Sequence, residues 1–170
     1  LIAVTALFSD KMTLILTVVR HAQSAGKQSG QHDFDRVLTE DGMAWAQVLK
    51  NKLPAAIPPV DIIIASSAKR VRQTVQPLLE GFALAEGQCH FQNELYEATA
   101  RDWLATLQPL IETQHHILLA GHNPVLSHLV SGWTCQVFDL HPGQAISLEF
   151  QSPNDLRLAG MGTILYNLHE

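Results

Sequence analysis

Three uninterrupted apolar runs of strand length, residues 13–19 (TLILTVV), 61–65 (DIIIA) and 117–120 (ILLA), constrain this chain more than any other feature. Short runs rich in β-branched residues, without polar alternation, mark strands covered on both faces, as parallel strands are. Each run is followed by helical spacing. After the first, Thr39 is placed to cap a helix with Glu40 and Asp41 in its first turn, an apolar stripe of Met43, Ala46, Leu49 and Leu53, and a stop at Pro54. After the second, Ser66 and Ser67 cap a helix with Val71, Val75, Leu78, Leu79 and Phe82 on one face and a kink point at Pro77. A weaker strand over 89–92 leads to a helix from Arg101 through Trp103, Leu104, Leu107 and Ile111, and the third run precedes one through Val125, Leu129 and Val130. Residues 145–150 and 156–158 alternate around Ser152-Pro153-Asn154 and predict a closing hairpin. The order predicts an α/β fold: a three-layer α/β/α sandwich with a mostly parallel sheet and an antiparallel C-terminal edge.

Length and composition narrow the function classes. A chain of 170 residues holds one ordinary core, expected over residues 12–170, with 1–11 as an extension outside it and Met12 as a natural start. With 46% hydrophobic and 16% charged residues, disorder and a pure coiled coil fit poorly. A net charge of −5 lacks the electrostatic footprint of sequence-tolerant nucleic-acid binding. No apolar run approaches the roughly 18–20 residues of a membrane span. Cys89 and Cys135 staple little and point to reduced thiols in a cytoplasmic protein.

Nine histidines are the unusual entry in the composition, and position sorts them. In an open α/β sheet the ligand crevice lies beyond the carboxyl ends of the strands. Those ends carry Arg20-His21, the segment from Ser66 to Arg70, and Gly121-His122. Guanidinium forks around imidazoles make an oxyanion site, and a phosphoryl group is the ligand implied. His115 and His116 enter a strand as neighbours and so face opposite ways, which argues against a shared metal. His32, His90, His128, His141 and His169 match no motif and read as structural or exposed. Trp45, Trp103 and Trp133 read as packing residues.

Four segments in order carry a family resemblance. Arg20-His21-Ala22-Gln23-Ser24 is similar to the Arg-His-Gly signature of the histidine phosphatase superfamily, also called the phosphoglycerate mutase-like fold, with Ala in place of Gly. Ser66-Ser67-Ala68-Lys69-Arg70-Val71-Arg72-Gln73-Thr74 resembles its Ser-Pro-x-x-Arg-x-x-Gln-Thr segment, with Ser67 in place of Pro. Gly121-His122-Asn123-Pro124 resembles its second-histidine motif, and Asp33-Phe34-Asp35-Arg36-Val37-Leu38-Thr39-Glu40-Asp41-Gly42 resembles the Asp-x-x-Arg-x-Leu-Thr-x-x-Gly of small SixA-like phosphohistidine phosphatases.

The resemblance implies His21 as the nucleophile that takes the phosphoryl group, with Arg20, Arg70 and His122 on its oxygens and no metal or other cofactor. Chemistry agrees, since neutral imidazole can attack phosphorus in line while fixed cations stabilise the equatorial oxygens. A backbone carbonyl is needed to fix the His21 tautomer. The proton donor is Glu97, by resemblance of Leu95-Tyr96-Glu97 to a Leu-x-Glu position, or Glu94. Imidazole is a far better leaving group than an alkoxide, so a phosphohistidine phosphatase tolerates a weak acid. Arg36 either reaches the phosphate or pairs with Asp33 or Asp35; Ser24 and Ser66 either touch phosphate or hold turns. Arg72, two positions from Arg70, reads as a solvated helix residue.

The expected partner is a phosphohistidine-bearing signalling protein, because no insertion between the motifs is long enough for a lid over a small ligand. The rivals are a phosphomonoesterase or mutase acting on a small phosphate ester, and a non-catalytic phosphoprotein-binding module.

Overall fold

The computed structural model describes residues 13–169. The expectations for residues 1–11 and for Met12 as a start lie outside the described residues. In chain order the elements are β1 (Leu14–Arg20), α1 (Glu40–Ala56), β2 (Ile62–Ser66), α2 (Lys69–Gly81), β3 (Cys89–Gln92), α3 (Ala100–Leu107), β4 (His116–Gly121), α4 (Val125–Thr134), β5 (Ala145–Phe150) and β6 (Thr163–Leu168). One six-stranded sheet has the order β3-β2-β4-β1-β5-β6. β3, β2, β4 and β1 run parallel, and β5 and β6 close the other edge antiparallel.

Alternation along the strands divides the core into two layers. Leu14, Leu16, Val18, Ile117, Leu119, Ile146 and Phe150 pack with Trp103, Leu107, Leu126 and Trp133, so α3 and α4 cover that face. Val19, Ile63, Ala65, Leu118 and Ala120 pack with Leu49, Leu53, Val71, Val75 and Leu78 under α1 and α2. On this second face a buried polar chain replaces apolar contact. His116 Nε2 lies 2.8 Å from Thr17 Oγ1, which is 2.7 Å from Ser147 Oγ, and His116 Nδ1 lies 3.1 Å from the Pro59 carbonyl. His115 is exposed, so the pair does face opposite ways. None of the described helices is long and apolar enough to cross a membrane.

Four local expectations are corrected. The return strand is β6, not residues 156–158. Ser152 accepts the Asn154 N–H and Pro153 opens a 3-10 turn over Pro153–Arg157, so the apparent hairpin turn is itself helical and the strand begins only after Gly162. Pro54 does not stop α1: it removes one backbone donor, and the next turn still closes through Ile57 N–H to the Leu53 carbonyl. Met43 is exposed, and Gly42 takes its place on the buried face because α1 approaches the loop so closely that a Cβ there would meet the Gln23 carbonyl oxygen at 2.1 Å. Ser66 and Ser67 do not cap α2, whose first flanking residue is Ala68; their hydroxyls bond across to other elements. Thr39 caps α1 as expected, accepting the Gly42 N–H at 3.0 Å.

Candidate active site

Register brings the two histidine motifs together. β1 pairs with β4 so that Arg20 sits opposite Gly121, which sets His21 and His122 side by side beyond the strand ends, ring centroids 5.3 Å apart. Ser66, at the end of β2, and Arg70, in the first turn of α2, complete the wall. His21 and His122 are each 8% exposed and Arg70 is 5% exposed. A compact cationic site is thus built inside an acidic protein.

The partners of each imidazole determine its tautomer. His21 Nδ1 lies 2.8 Å from the Ala22 carbonyl, which can only accept, so Nδ1 carries the proton. Nε2 then presents its lone pair, toward which Arg70 Nε–H points at 3.2 Å. Arg70 Nη2 lies 3.3 Å from His122 Nδ1, and a guanidinium only donates, so His122 holds its proton on Nε2 and gives it to Ser66 Oγ at 3.0 Å. Burial lowers the His21 pKa from 6.5 to about 4, aided by Arg70, Arg20 and Arg36 against the Ala22 carbonyl. Burial and then Arg70 lower that of His122 to about 3. Both rings are neutral at physiological pH.

The motif residues between the charged groups hold the backbone. Thr74 Oγ1 accepts the Ala22 N–H at 3.0 Å and donates to the Arg70 carbonyl at 2.8 Å. Gln73 Oε1 accepts the Leu38 N–H at 2.8 Å. Asn123 Nδ2 donates to the Leu140 carbonyl at 3.0 Å, the same oxygen that takes Arg20 Nη1–H at 2.6 Å. Arg20 Nε is buried and has no hydrogen-bond partner among the described residues. Gly143 N–H reaches the carbonyls of Arg20 and His21 at 3.1 and 2.9 Å; its φ of +75° and the Trp45 ring against it exclude a side chain.

Other candidates stand further out. Arg36 forks onto the Ala25 carbonyl at 2.9 Å, Asp33 at 2.8 Å and Ser24 Oγ at 2.8 Å, so both Arg36 and Ser24 are joined within their own loop. Glu97 is exposed on the wall of a cleft of about 440 Å³ that leads away from His122 between Tyr96, Thr99, Asn123 and His128. Glu94 is exposed and does not line it. Arg72 is exposed, yet it is held by the Ser67 carbonyl at 2.9 Å and over the Phe91 ring at 4.3 Å, so it is not a free solvated residue.

Sequence reasoning missed Asp33, Tyr96 and His128 as site neighbours. Asp33 accepts from Arg70 Nη2 at 3.0 Å, Arg36 at 2.8 Å and the Tyr96 hydroxyl at 2.6 Å. The loop of residues 23–36, which the sequence left without a covering role, therefore reaches over one side of the site.

Known proteins match this arrangement at two levels. In fold, the chain is similar to a candidate phosphohistidine phosphatase SixA from Agrobacterium tumefaciens (TM-score 0.79, 21% identity, 92% of this chain and 98% of that one). A protein histidine phosphatase SixA complexed with tungstate gives 0.77 at 19% identity over 91% and 96%. The α-ribazole phosphatase from Shigella flexneri gives 0.66 at 16% over 90% and 96%. In sequence, an uncharacterized protein of Mycobacterium tuberculosis is 29% identical over 111 residues, 65% of this chain and 66% of that relative's length. Residues 16–119, which include Arg20, His21 and Arg70, match the model of the histidine phosphatase superfamily (branch 1), and the chain belongs to that superfamily.

Proposed function

We propose that the protein is a phosphatase of SixA type that removes the phosphoryl group from a phosphohistidine on a signalling protein, through a covalent intermediate on His21. The observation that carries this reading is the His21 tautomer, with Nδ1–H on the Ala22 carbonyl and the Nε2 lone pair facing a guanidinium. His21 Nε2 attacks phosphorus, forming a new N–P bond as the substrate's N–P bond breaks, and the departing imidazole takes a proton from Glu97 or water. Water then attacks phosphorus, the His21 N–P bond breaks, and inorganic phosphate leaves with neutral His21 restored. Arg20, Arg70 and His122 hold the equatorial oxygens. Because His122 Nδ1 is a lone pair in this arrangement, it must gain a proton to donate to a phosphoryl oxygen. Arg36 adds positive potential at His21 from its loop. No step of this scheme calls for a metal, and the two free cysteines fit a reducing cytoplasm.

The open cleft beside His122 supports a surface-presented substrate, its walls offering Glu97 and His128 to whatever flanks the phosphoryl group. The small-ester rival shares the nucleophile and is separated by turnover. Wild-type protein should take up acid-labile ³²P label that His21→Ala does not, and should prefer a phosphohistidine-bearing phosphotransfer domain to small phosphate esters. A hundredfold preference for a sugar phosphate or nucleotide would overturn the substrate, and absence of both label and turnover would leave a binding module.

A further inference from the structure

We propose that Asp33 is the positioning residue for Arg70 and that Tyr96 locks it there, a clasp formed only when the loop after β1 meets the loop after β3. The proposal deepens the phosphatase reading and rests on it, since it concerns how that site's guanidinium is aimed.

The two edges of Arg70 have different partners. Its side edge, Nε and Nη2, faces His21 Nε2 at 3.2 Å and His122 Nδ1 at 3.3 Å. Its end edge, Nη1 and Nη2, meets the Asp33 backbone carbonyl at 2.6 Å and Asp33 Oδ2 at 3.0 Å. A guanidinium is planar with fixed angles, so two bonds on the end edge set the plane and rotation of the side edge. The side edge suits two oxygens of a phosphoryl group between the imidazoles, and Asp33, on the far edge, never needs to touch the reacting atoms.

Asp33 cannot hold this position by itself. Its side chain is 38% exposed and lies on a loop. The Tyr96 hydroxyl donates to Oδ2 at 2.6 Å and Arg36 to Oδ1 at 2.8 Å, which together keep the carboxyl ionised well below the usual carboxylate range. The Tyr96 ring packs on Phe34 at 5.1 Å, against the His122 ring at 5.4 Å and under Arg70 at 5.7 Å. One side chain thus touches the strap, the guanidinium and the second imidazole.

A double-mutant cycle tests the clasp, with Asp33→Asn and Tyr96→Phe made in wild-type and Arg70→Gln backgrounds. The measurements are kcat and KM on p-nitrophenyl phosphate, inorganic phosphate affinity by calorimetry, and Tm. Asp33 is half-exposed and the Phe ring is retained, so the core is untouched and Tm should fall by only a few degrees. Each substitution should lower kcat about tenfold when Arg70 is present and less than about twofold when it is Gln. Equal losses in both backgrounds, or no loss in either single variant, would overturn the clasp. His21-dependent turnover by wild type upholds the phosphatase reading whatever the cycle shows. Should wild type turn over nothing, phosphate affinity through the same cycle decides the clasp alone: Asp33→Asn weakens binding only where Arg70 remains, or the idea is wrong.

Discussion

The two sides of the site are held by different means. On one side His21 and His122 extend from paired strands whose interiors, Leu16, Val18, Ile117 and Leu119, are fully buried, so their spacing is a property of the sheet. On the other side Asp33, Tyr96 and Glu97 sit outside the strands and helices of the sandwich, and a single hydrogen bond joins the side chains of Asp33 and Tyr96, 63 residues apart in sequence. Displacing the first side requires opening the core, whereas displacing the second requires breaking a few half-buried polar contacts. In the proposed reaction the rigid side would carry the chemistry and the loop side would adjust to the substrate.

This contrast can be broken from either side. Phe150→Ala removes a fully buried ring that meets Trp133 edge-to-face at 5.8 Å from β5, the strand bordering β1; it should cost about 3–5 kcal/mol in denaturant unfolding and impair both sides together. A loss confined to the loops would refute the sheet's role. Acid should act next, and on the sheet side. Folding disfavours protonation of His21 and His122, so their contribution is complete above the unfolded value of 6.5 and is lost as pH falls through about 4 and then about 3. By NMR both rings should remain neutral at pH 5, and midpoints near 6.5 would contradict the burial argument. The smallest effect belongs to the loop side. Gln73→Ala frees the Leu38 N–H and should change global stability by about 1 kcal/mol while speeding amide exchange only around residues 23–38.

The same contrast explains what could be read from the chain. β1, β2 and β4 announce themselves as apolar runs, and because ligand crevices lie beyond strand ends, Arg20, His21, Arg70 and His122 were legible as neighbours before any coordinates. Asp33 and Tyr96 were not, since no periodicity links a loop aspartate to a tyrosine after another strand. Asp33 opens the segment that resembles the SixA-like motif and lies three residues before Arg36, but nothing in that pattern points across to Arg70 or Tyr96. β6 was misplaced because Ser-Pro-Asn opens a hairpin turn and a 3-10 turn with the same residues. Ser66 and Ser67 looked like helix caps because the preference for a hydroxyl before a helix carries no information about a partner across the sheet.

The Thr74 hydroxyl takes the Ala22 N–H, next to His21, and donates its own proton in a hydrogen bond to the Arg70 carbonyl. Any sliding of α2 along β1 therefore loads this one hydroxyl, a tie bar between the strand end that carries His21 and the helix that carries Arg70.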